Sequence, residues 1–515
     1  MIGGVLLGCG LFALPATAQQ TGCPENFTVQ EATISALQSA QNKGQISAQC
    51  LVQLYLQRIN QYDKHGPKIN SMLELNPDAL TIAAQLDAER QAGKVHGPLH
   101  GIPIVIKGNI ATHDRMTTTA GSVALAGSIP LEDAFLVKRL RAAGMIILGK
   151  ANLTEFANAM AIGMPGGYSS QGGQTLNPYN PTTYPNGLPV LSPCGSSAGS
   201  GAATAANLTA VAIGTETSGS ILCPSSYHAL VGIKTTLGLV SRSGVIPIGS
   251  AQDVAGPMAR TVADAAAVLN ALAAPDPKDL VTLKSIGKVP PDYTAFLNPN
   301  GLMGARIGIA RQYFYVAEGE TTALIDQAIQ TMRDLGATII DPVDISTYDQ
   351  LISDSSVVLN YQFKQQLNAY LSTVGPTSPV KDLQGIILSN FRNSSVALKY
   401  GQELLITSQV QSGNTITKAD AAKDRLEDIQ LARGGLEAAL QDNQLDALIF
   451  PSSNGASVGA QAGYPTVIVP AGYLSNGRPY GVSFLGTAFS EARLIELAYA
   501  YEQATKLRHP PTATP

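Results

Sequence analysis

The chain has 515 residues, 45% of them hydrophobic, which is enough to bury a large core. Charged residues make up 14% and the formal net charge is -4, so neither nucleic acid nor an anionic membrane surface finds a basic field here. Tryptophan is absent, leaving 18 tyrosines and 11 phenylalanines to line an apolar pocket.

Met1 to Leu14 is apolar and is followed by Ala16-Thr17-Ala18, an A-x-A site. Residues 1–18 are therefore expected to be a signal peptide cleaved before Gln19, although the n-region has no Lys or Arg. Leu6-Leu7-Gly8-Cys9 also fits a lipoprotein box but leaves too short an apolar stretch before the cysteine. No other run is long and apolar enough to span a bilayer, and a secreted or periplasmic location is expected. Sequons stand at Asn26, Asn152, Asn207 and Asn393. Asn152 and Asn207 fall in core segments, which leaves Asn26 and Asn393 as acceptors in a eukaryotic host.

Further along, hydrophobic periodicity sets an α/β rhythm. Helices are expected at about 47–62, 71–92, 132–143, 197–206, 262–273, 321–335 and 419–440. Strands are expected at 102–107, 145–149, 208–213, 307–310 and 338–340, and the Pro-rich end after His509 reads as disordered. The predicted architecture is α/β, a mixed central β-sheet sandwiched by helices. Residues 345–440 carry no motif and read as mostly helical.

Three runs carry chemistry. Gly101-Ile102-Pro103-Ile104-Val105-Ile106-Lys107 ends an apolar strand on a lysine. Ser192-Pro193-Cys194-Gly195-Ser196-Ser197-Ala198-Gly199-Ser200-Gly201 is a small-residue run, and Gly214-Thr215-Glu216-Thr217-Ser218-Gly219-Ser220-Ile221 is a second. Glycines beside a serine let backbone N–H groups turn toward a substrate carbonyl, and burial can turn a lysine into a base. Each run alone has a bland reading: a solvated strand cap, a tightly packed helix, a loop.

Their order and spacing resemble the amidase signature family, in which a G-I-P-x-x-x-K lysine precedes a G-S-S-x-G-S run and a G-T-[DE]-x-x-G-S-I run. The resemblance implies a Ser-cisSer-Lys triad. Ser220 would be the nucleophile, Ser196 the bridging serine after a cis bond from Gly195, and Lys107 the terminal base, largely neutral. Backbone N–H groups of Thr217, Ser218, Gly219 and Ser220 would form the oxyanion hole. Two positions depart from the commonest pattern: Ser218 stands where glycine is frequent and Leu222 where arginine often follows.

The resemblance continues through Ser250 to Asp264, where Thr261 is expected to cap a helix while Asp253 and Arg260 brace loops near the serines. It resumes at Ala462 to Pro470 and Arg478 to Gly486, a late strand hairpin. Phrases such as His96-Gly97-Pro98-Leu99-His100-Gly101 look most like peptide amidases. The expected domains are a helical segment at 19–75 and one amidase signature domain at 76–510, with an insertion at about 275–440. That insertion would cover the mouth of the site, with Tyr361, Phe363 and Tyr370 as wall residues or, equally, as a core stripe.

Export permits disulfides, and Cys23 could bridge to Cys50. Cys194 and Cys223 could pair, but their apolar and glycine-rich turns point rather to buried thiols.

Rival chemistries are poorly supported. Gly195-Ser196-Ser197-Ala198-Gly199 fits the nucleophile elbow with Ser197 attacking, but that fold needs a late histidine and His509 stands in the tail. Ser285-Ile286-Gly287-Lys288 matches S-x-x-K without its partner motifs. His96 and His100 are separated by Gly97 and Pro98, with no carboxylate cluster in sequence to join them, so no metal is expected. No phosphate-cradling glycine motif appears, and no cofactor is expected. The expected function is hydrolysis of small or peptide amides through an acyl-enzyme. The alternatives on the same triad are the A-type subunit of a tRNA-dependent amidotransferase and an esterase or carbamate hydrolase. The oligomeric state is not indicated.

Overall fold

The computed structural model describes residues 23, 24, 26–314, 319–353 and 357–515. The expected signal peptide, its cleavage site and the lipoprotein box lie outside the described residues.

Thirteen strands are formed among the described residues. They are β1 (Met72–Leu75), β2 (Pro103–Lys107), β3 (Ile146–Ala151), the ribbon pair β4 (Tyr168–Ser169) and β5 (Gly173–Gln174), β6 (Val211–Glu216), β7 (Val231–Lys234), β8 (Val254–Ala259), β9 (Arg306–Ile309), β10 (Thr338–Ile340), β11 (Ala447–Pro451), β12 (Thr466–Tyr473) and β13 (Pro479–Leu485). Eleven build one mixed sheet in the order β1-β3-β2-β6-β8-β7-β12-β13-β11-β9-β10. Its strands β2, β3, β6 and β11 are buried along their whole length, as strands covered on both faces must be.

Side chains alternate between the layers. On β11, Ala447 and Ile449 enter the largest core, whereas Leu448 and Phe450 join a separate one with Ala432 and Leu436 of the helix Lys418–Asp442. The mixed sheet with covering helices is the expected fold class. Thr261 caps the helix Val262–Leu272 by accepting from the Asp264 N–H, also as expected.

Several elements differ from the sequence reading. The helix expected at 71–92 begins only at Ala79, because Met72–Leu75 pairs antiparallel with β3 as an edge strand and Pro77 follows. The strand expected at 208–213 is shifted to Val211–Glu216, carrying Thr215 and Glu216 to the sheet end where Lys107 lies. The helix expected at 47–62 runs as Ala48–Arg58 and widens into a π-helix over Ile59–Lys64. Strand β8 was unanticipated: although it contains Gly256-Pro257, it pairs with β6 and β7. The disulfide Cys23–Cys50 is formed.

The C-terminal segment is packed rather than disordered. Arg508 forks onto both Glu31 carboxylate oxygens at 2.7 and 2.8 Å, and donates to the carbonyls of Ala205 and Ala229 at 3.2 and 3.0 Å. Arg58 holds the carbonyls of Thr514 and Pro515, each at 2.9 Å. Arg260 does not reach the serine loops: it donates to the carbonyls of Thr204, Thr209 and Ala32, tying the start of the chain to the turn before β6. The expected outcome of Arg508→Ala is a loss of about 3 kcal/mol in urea unfolding, because a half-buried carboxylate and two carbonyls lose their donor. Arg508→Lys should recover only part, since an ammonium cannot fork. An unchanged midpoint in Arg508→Ala would show that the clasp carries no stability.

Candidate active site

Parallel strands β2 and β6 lie side by side in the sheet, and their C-terminal ends bring Lys107 and Thr215-Glu216 together at one edge. That edge is where ligands bind in open α/β sheets. Helix Ala198–Ala205 lies over the same strands, and its small residues permit direct backbone contact: a Cβ on Gly199 would meet the carbonyl oxygens of Asn152 and Ser71 at 2.3 and 2.4 Å. The helix is preceded by Ser196, which follows a cis peptide bond from Gly195. There is no room for a larger residue at 195, where a Cβ would lie 2.3 Å from Thr154 Oγ1.

Lys107 is fully buried. Its Nζ lies 2.7 Å from Ser196 Oγ, 2.9 Å from Thr215 Oγ1 and 3.1 Å from the Thr215 carbonyl. Burial pulls its pKa down to about 7, opposed by the negative charges of Asp253 and Glu216. Two other lysines are equally buried, but Lys150 holds the Ile110 carbonyl and Thr118 Oγ1, and Lys234 the carbonyls of Gly459 and Tyr464. Of the three, Lys107 is the one that contacts a serine hydroxyl.

Beyond β6 the chain turns through Thr217, Ser218, Gly219 and Ser220 into the short helix Leu222–Tyr227. Gly219 takes φ +78°, which lets the turn close. Glu216 Oε2 braces it by accepting from the N–H groups of Ile221 and Leu222 at 2.7 and 3.0 Å. Thr217 Oγ1 donates to Asp253 at 2.6 Å, and Asp253 in turn accepts from the N–H groups of Ile248 and Gly249, so Asp253 braces a loop beside the serines as expected. Among the described residues, none of the N–H groups of Thr217, Ser218, Gly219 and Ser220 meets a protein acceptor. The turn thus carries four N–H groups without a protein acceptor among the described residues.

Ser220 is 8% exposed, and its carbonyl accepts from the Ser197 N–H at 3.2 Å, which joins the two serine loops. Ser197 itself is fully buried, donating to the Thr215 carbonyl at 3.1 Å and accepting from the Thr215 N–H at 3.2 Å. It is a backbone latch, which removes the elbow alternative. Ser285 is likewise buried, donating to Thr282 O.

Two expectations need correction here. Cys194 and Cys223 are not free thiols: they form a disulfide, because the two serine loops bring their Cα atoms to 5.9 Å, a proximity the sequence does not reveal. A carboxylate does reach the two histidines, since Glu89 Oε2 lies 2.8 Å from His96 Nε2. His100 is nevertheless committed on both ring nitrogens, Nε2 with the Leu86 carbonyl and Nδ1 with the His96 N–H.

A cavity of about 410 Å3 opens beside the site, lined among others by Asn109, Thr215, Thr217, Asp253, Ile246 and Tyr370. A second of about 610 Å3 shares Ser243, Gly244, Lys278, Tyr370 and Thr373 with it. Of the three aromatic candidates, Tyr370 lines both cavities. Phe363 is instead buried edge-on against Phe156 in a core cluster, and Tyr361 lies outside either lining while its carbonyl accepts from Ser412. Asn109, which sequence reasoning missed, stands two residues past Lys107 and donates to Thr215 Oγ1 at 3.1 Å. Its signal was its position just beyond the strand end.

A family model described as Amidase matches residues 50–462. A probable amidase of Arabidopsis thaliana is 40% identical over 518 residues, covering 98% of this chain and 96% of its own. The crystal structure of a peptide amidase from Stenotrophomonas maltophilia superposes with a TM-score of 0.88 at 43% identity, over 94% of this chain and 99% of that one. The A-type subunit of a glutamyl-tRNA(Gln) amidotransferase from Thermosynechococcus vestitus is 34% identical over 486 residues, covering 89% of this chain and 95% of its own.

The brace under the turn can be tested directly. Glu216→Ala strands two N–H groups and should cost about 2–4 kcal/mol in chemical denaturation, while Glu216→Gln, which keeps an acceptor, should cost less. Equal stability of the alanine variant and the wild type would rule out a bracing role.

Proposed function

Because the chain belongs to the amidase family and is therefore an amide-hydrolysing enzyme, we propose that its reaction runs through an acyl-enzyme on Ser220. Ser220 Oγ attacks the scissile carbonyl, its proton passes to Ser196 Oγ, and the Ser196 proton passes to neutral Lys107 Nζ. The developing alkoxide is held by the unpaired N–H groups of the turn 217–220, each such donor contributing about 3–4 kcal/mol to the barrier reduction. Lys107 returns its proton through Ser196 to the leaving nitrogen, and water then releases the acyl group by the same relay. No cofactor enters any step.

The observation that carries this reading is the buried Lys107, with Nζ 2.7 Å from Ser196 Oγ and a pKa near 7. A charged ammonium could not accept the proton. Ser220 Oγ makes no side-chain hydrogen bond among the described residues, and such catalytic contacts commonly tighten only around substrate. For the substrate we favour a peptide amide: the two adjoining cavities together exceed what a small amide fills, with the charged Lys278 shared between them and Glu132 and Lys138 on the second. Ahead of the matched region, a cleaved signal peptide at 1–18 would make the enzyme secreted or periplasmic.

A fluorophosphonate should label Ser220, and Ser220→Ala should abolish labelling and turnover with the fold intact; labelling at Ser197 would overturn the assignment. Neutral Lys107 is the active form, and its fraction grows with pH, so amide turnover should climb through about pH 7 and level off above it. Lys107→Ala should lose several orders of magnitude on amides but less on esters, whose leaving group depends less on protonation. Near-normal amide turnover with an unchanged pH profile in that variant would reduce Lys107 to a strand cap.

A further inference from the structure

The two serine loops flank β6, one before the helix that precedes it and one after its C-terminal end, and the two helices that follow them touch each other. Ser196 precedes the helix Ala198–Ala205, packed on β2 and β6, while Ser220 leads into the helix Leu222–Tyr227, packed on β12 and β13. Among the described residues no side-chain hydrogen bond joins Ser196 to Ser220; the direct polar link between the loops is the Ser197 N–H to the Ser220 carbonyl at 3.2 Å. The covalent link is the disulfide between Cys194, two residues before Ser196, and Cys223, three residues after Ser220. Both cysteines are half-buried.

Resting on the acyl-enzyme reading above, we propose that the Cys194–Cys223 disulfide is the positioning element of the serine pair, and that its reduction switches the enzyme down without unfolding it. The exchange is balanced: a dithiol attacks one sulfur and closes on itself, passing two electrons and two protons to leave Cys194 and Cys223 as thiols and the reagent as a cyclic disulfide. Each loop then keeps its local anchors, the Cys194 N–H on Ser192 Oγ at 3.0 Å and the Cys223 N–H on the Gly219 carbonyl at 2.8 Å. The Ser197 hydroxyl also stays on Thr215 and its N–H on the Ser220 carbonyl; what is lost is the covalent limit on the separation between the loops, and displacements near 1 Å cost about 100-fold in rate when hydroxyl groups must relay a proton. The other disulfide, Cys23–Cys50, ties the N-terminal segment to the helix Ala48–Arg58 and serves as the internal control.

The experiment titrates folded wild-type enzyme with dithiothreitol, following peptide-amide turnover, fluorophosphonate labelling rate and circular dichroism together. The expected result is a fall in kcat of about 10- to 100-fold with KM within about twofold, slowed labelling, an unchanged dichroism spectrum and recovery on reoxidation. Cys194→Ser/Cys223→Ser should show the same loss and no further response to dithiol, whereas Cys23→Ser/Cys50→Ser should keep the wild-type response. Full kcat in the reduced wild-type enzyme, with both thiols confirmed by alkylation, would overturn the proposal even if the double variant misfolds. Ser220→Ala assayed in parallel separates the two readings: activity there would sink the acyl-enzyme assignment, while its silence beside an active reduced enzyme would sink the disulfide's role alone.

Discussion

In the proposed relay, everything depends on keeping one lysine dry. An ammonium in water holds its proton to about pH 10.4 and cannot serve as a base near neutrality. Lys107 escapes that limit because β2 lies inside a sheet covered on both faces, and because its nitrogen meets hydroxyl and carbonyl oxygens rather than a carboxylate. A carboxylate in contact would restore the charge. The nearest acidic groups are turned to other tasks, Glu216 to the N–H groups of Ile221 and Leu222 and Asp253 to Thr217 and the 248–249 backbone. The same residues that build the loops thereby leave the lysine, among the described residues, without a carboxylate partner.

Packing at atomic contact distances keeps these loops in place. Gly195, Gly199 and Gly214 each stand where a Cβ would collide with a neighbour, at Thr154 Oγ1, the Asn152 carbonyl and Met258 Sδ respectively. Removing side-chain bulk lets the serine loops approach their neighbours closely, and the Glu216 and Asp253 carboxylates then brace the turn.

Much of this was legible in sequence because its signals are local. Strand β2, the helices 262–272 and 320–334 and the three site-bearing runs announce themselves by apolar periodicity or by glycine and serine spacing. What escaped depends on contacts that only the folded chain makes. Cys194 and Cys223 look like any small apolar residues until two loops are brought together, and the Glu89 carboxylate meets His96 only through the turn that follows its helix. The tail after His509 reads as disordered from its prolines, yet it is held by Arg58, a partner more than 450 positions away. Strand β8 was hidden by Gly256-Pro257, residues that break strands in isolation but here admit close neighbours on both sides. The helical segment 358–411 was harder still: aromatics on a helix do not say which of them faces a cavity, and although Tyr370 and Phe363 both pack on one core cluster, Tyr370 also lines the cavities.

The order of strands bears on how the molecule must be assembled. The last two in the chain, β12 and β13, occupy the middle of the sheet and separate β7 from β11. While the polypeptide is being made from its N-terminus, the half carrying β1 to β8 and the half carrying β9 to β11 therefore each present an open edge, able to recruit strands from other chains. Only when residues 466–485 emerge can the two halves be zipped into one sheet. Ribosome-stalled or truncated products lacking that hairpin would be the aggregation-prone species, and chaperone demand should fall sharply once it is complete.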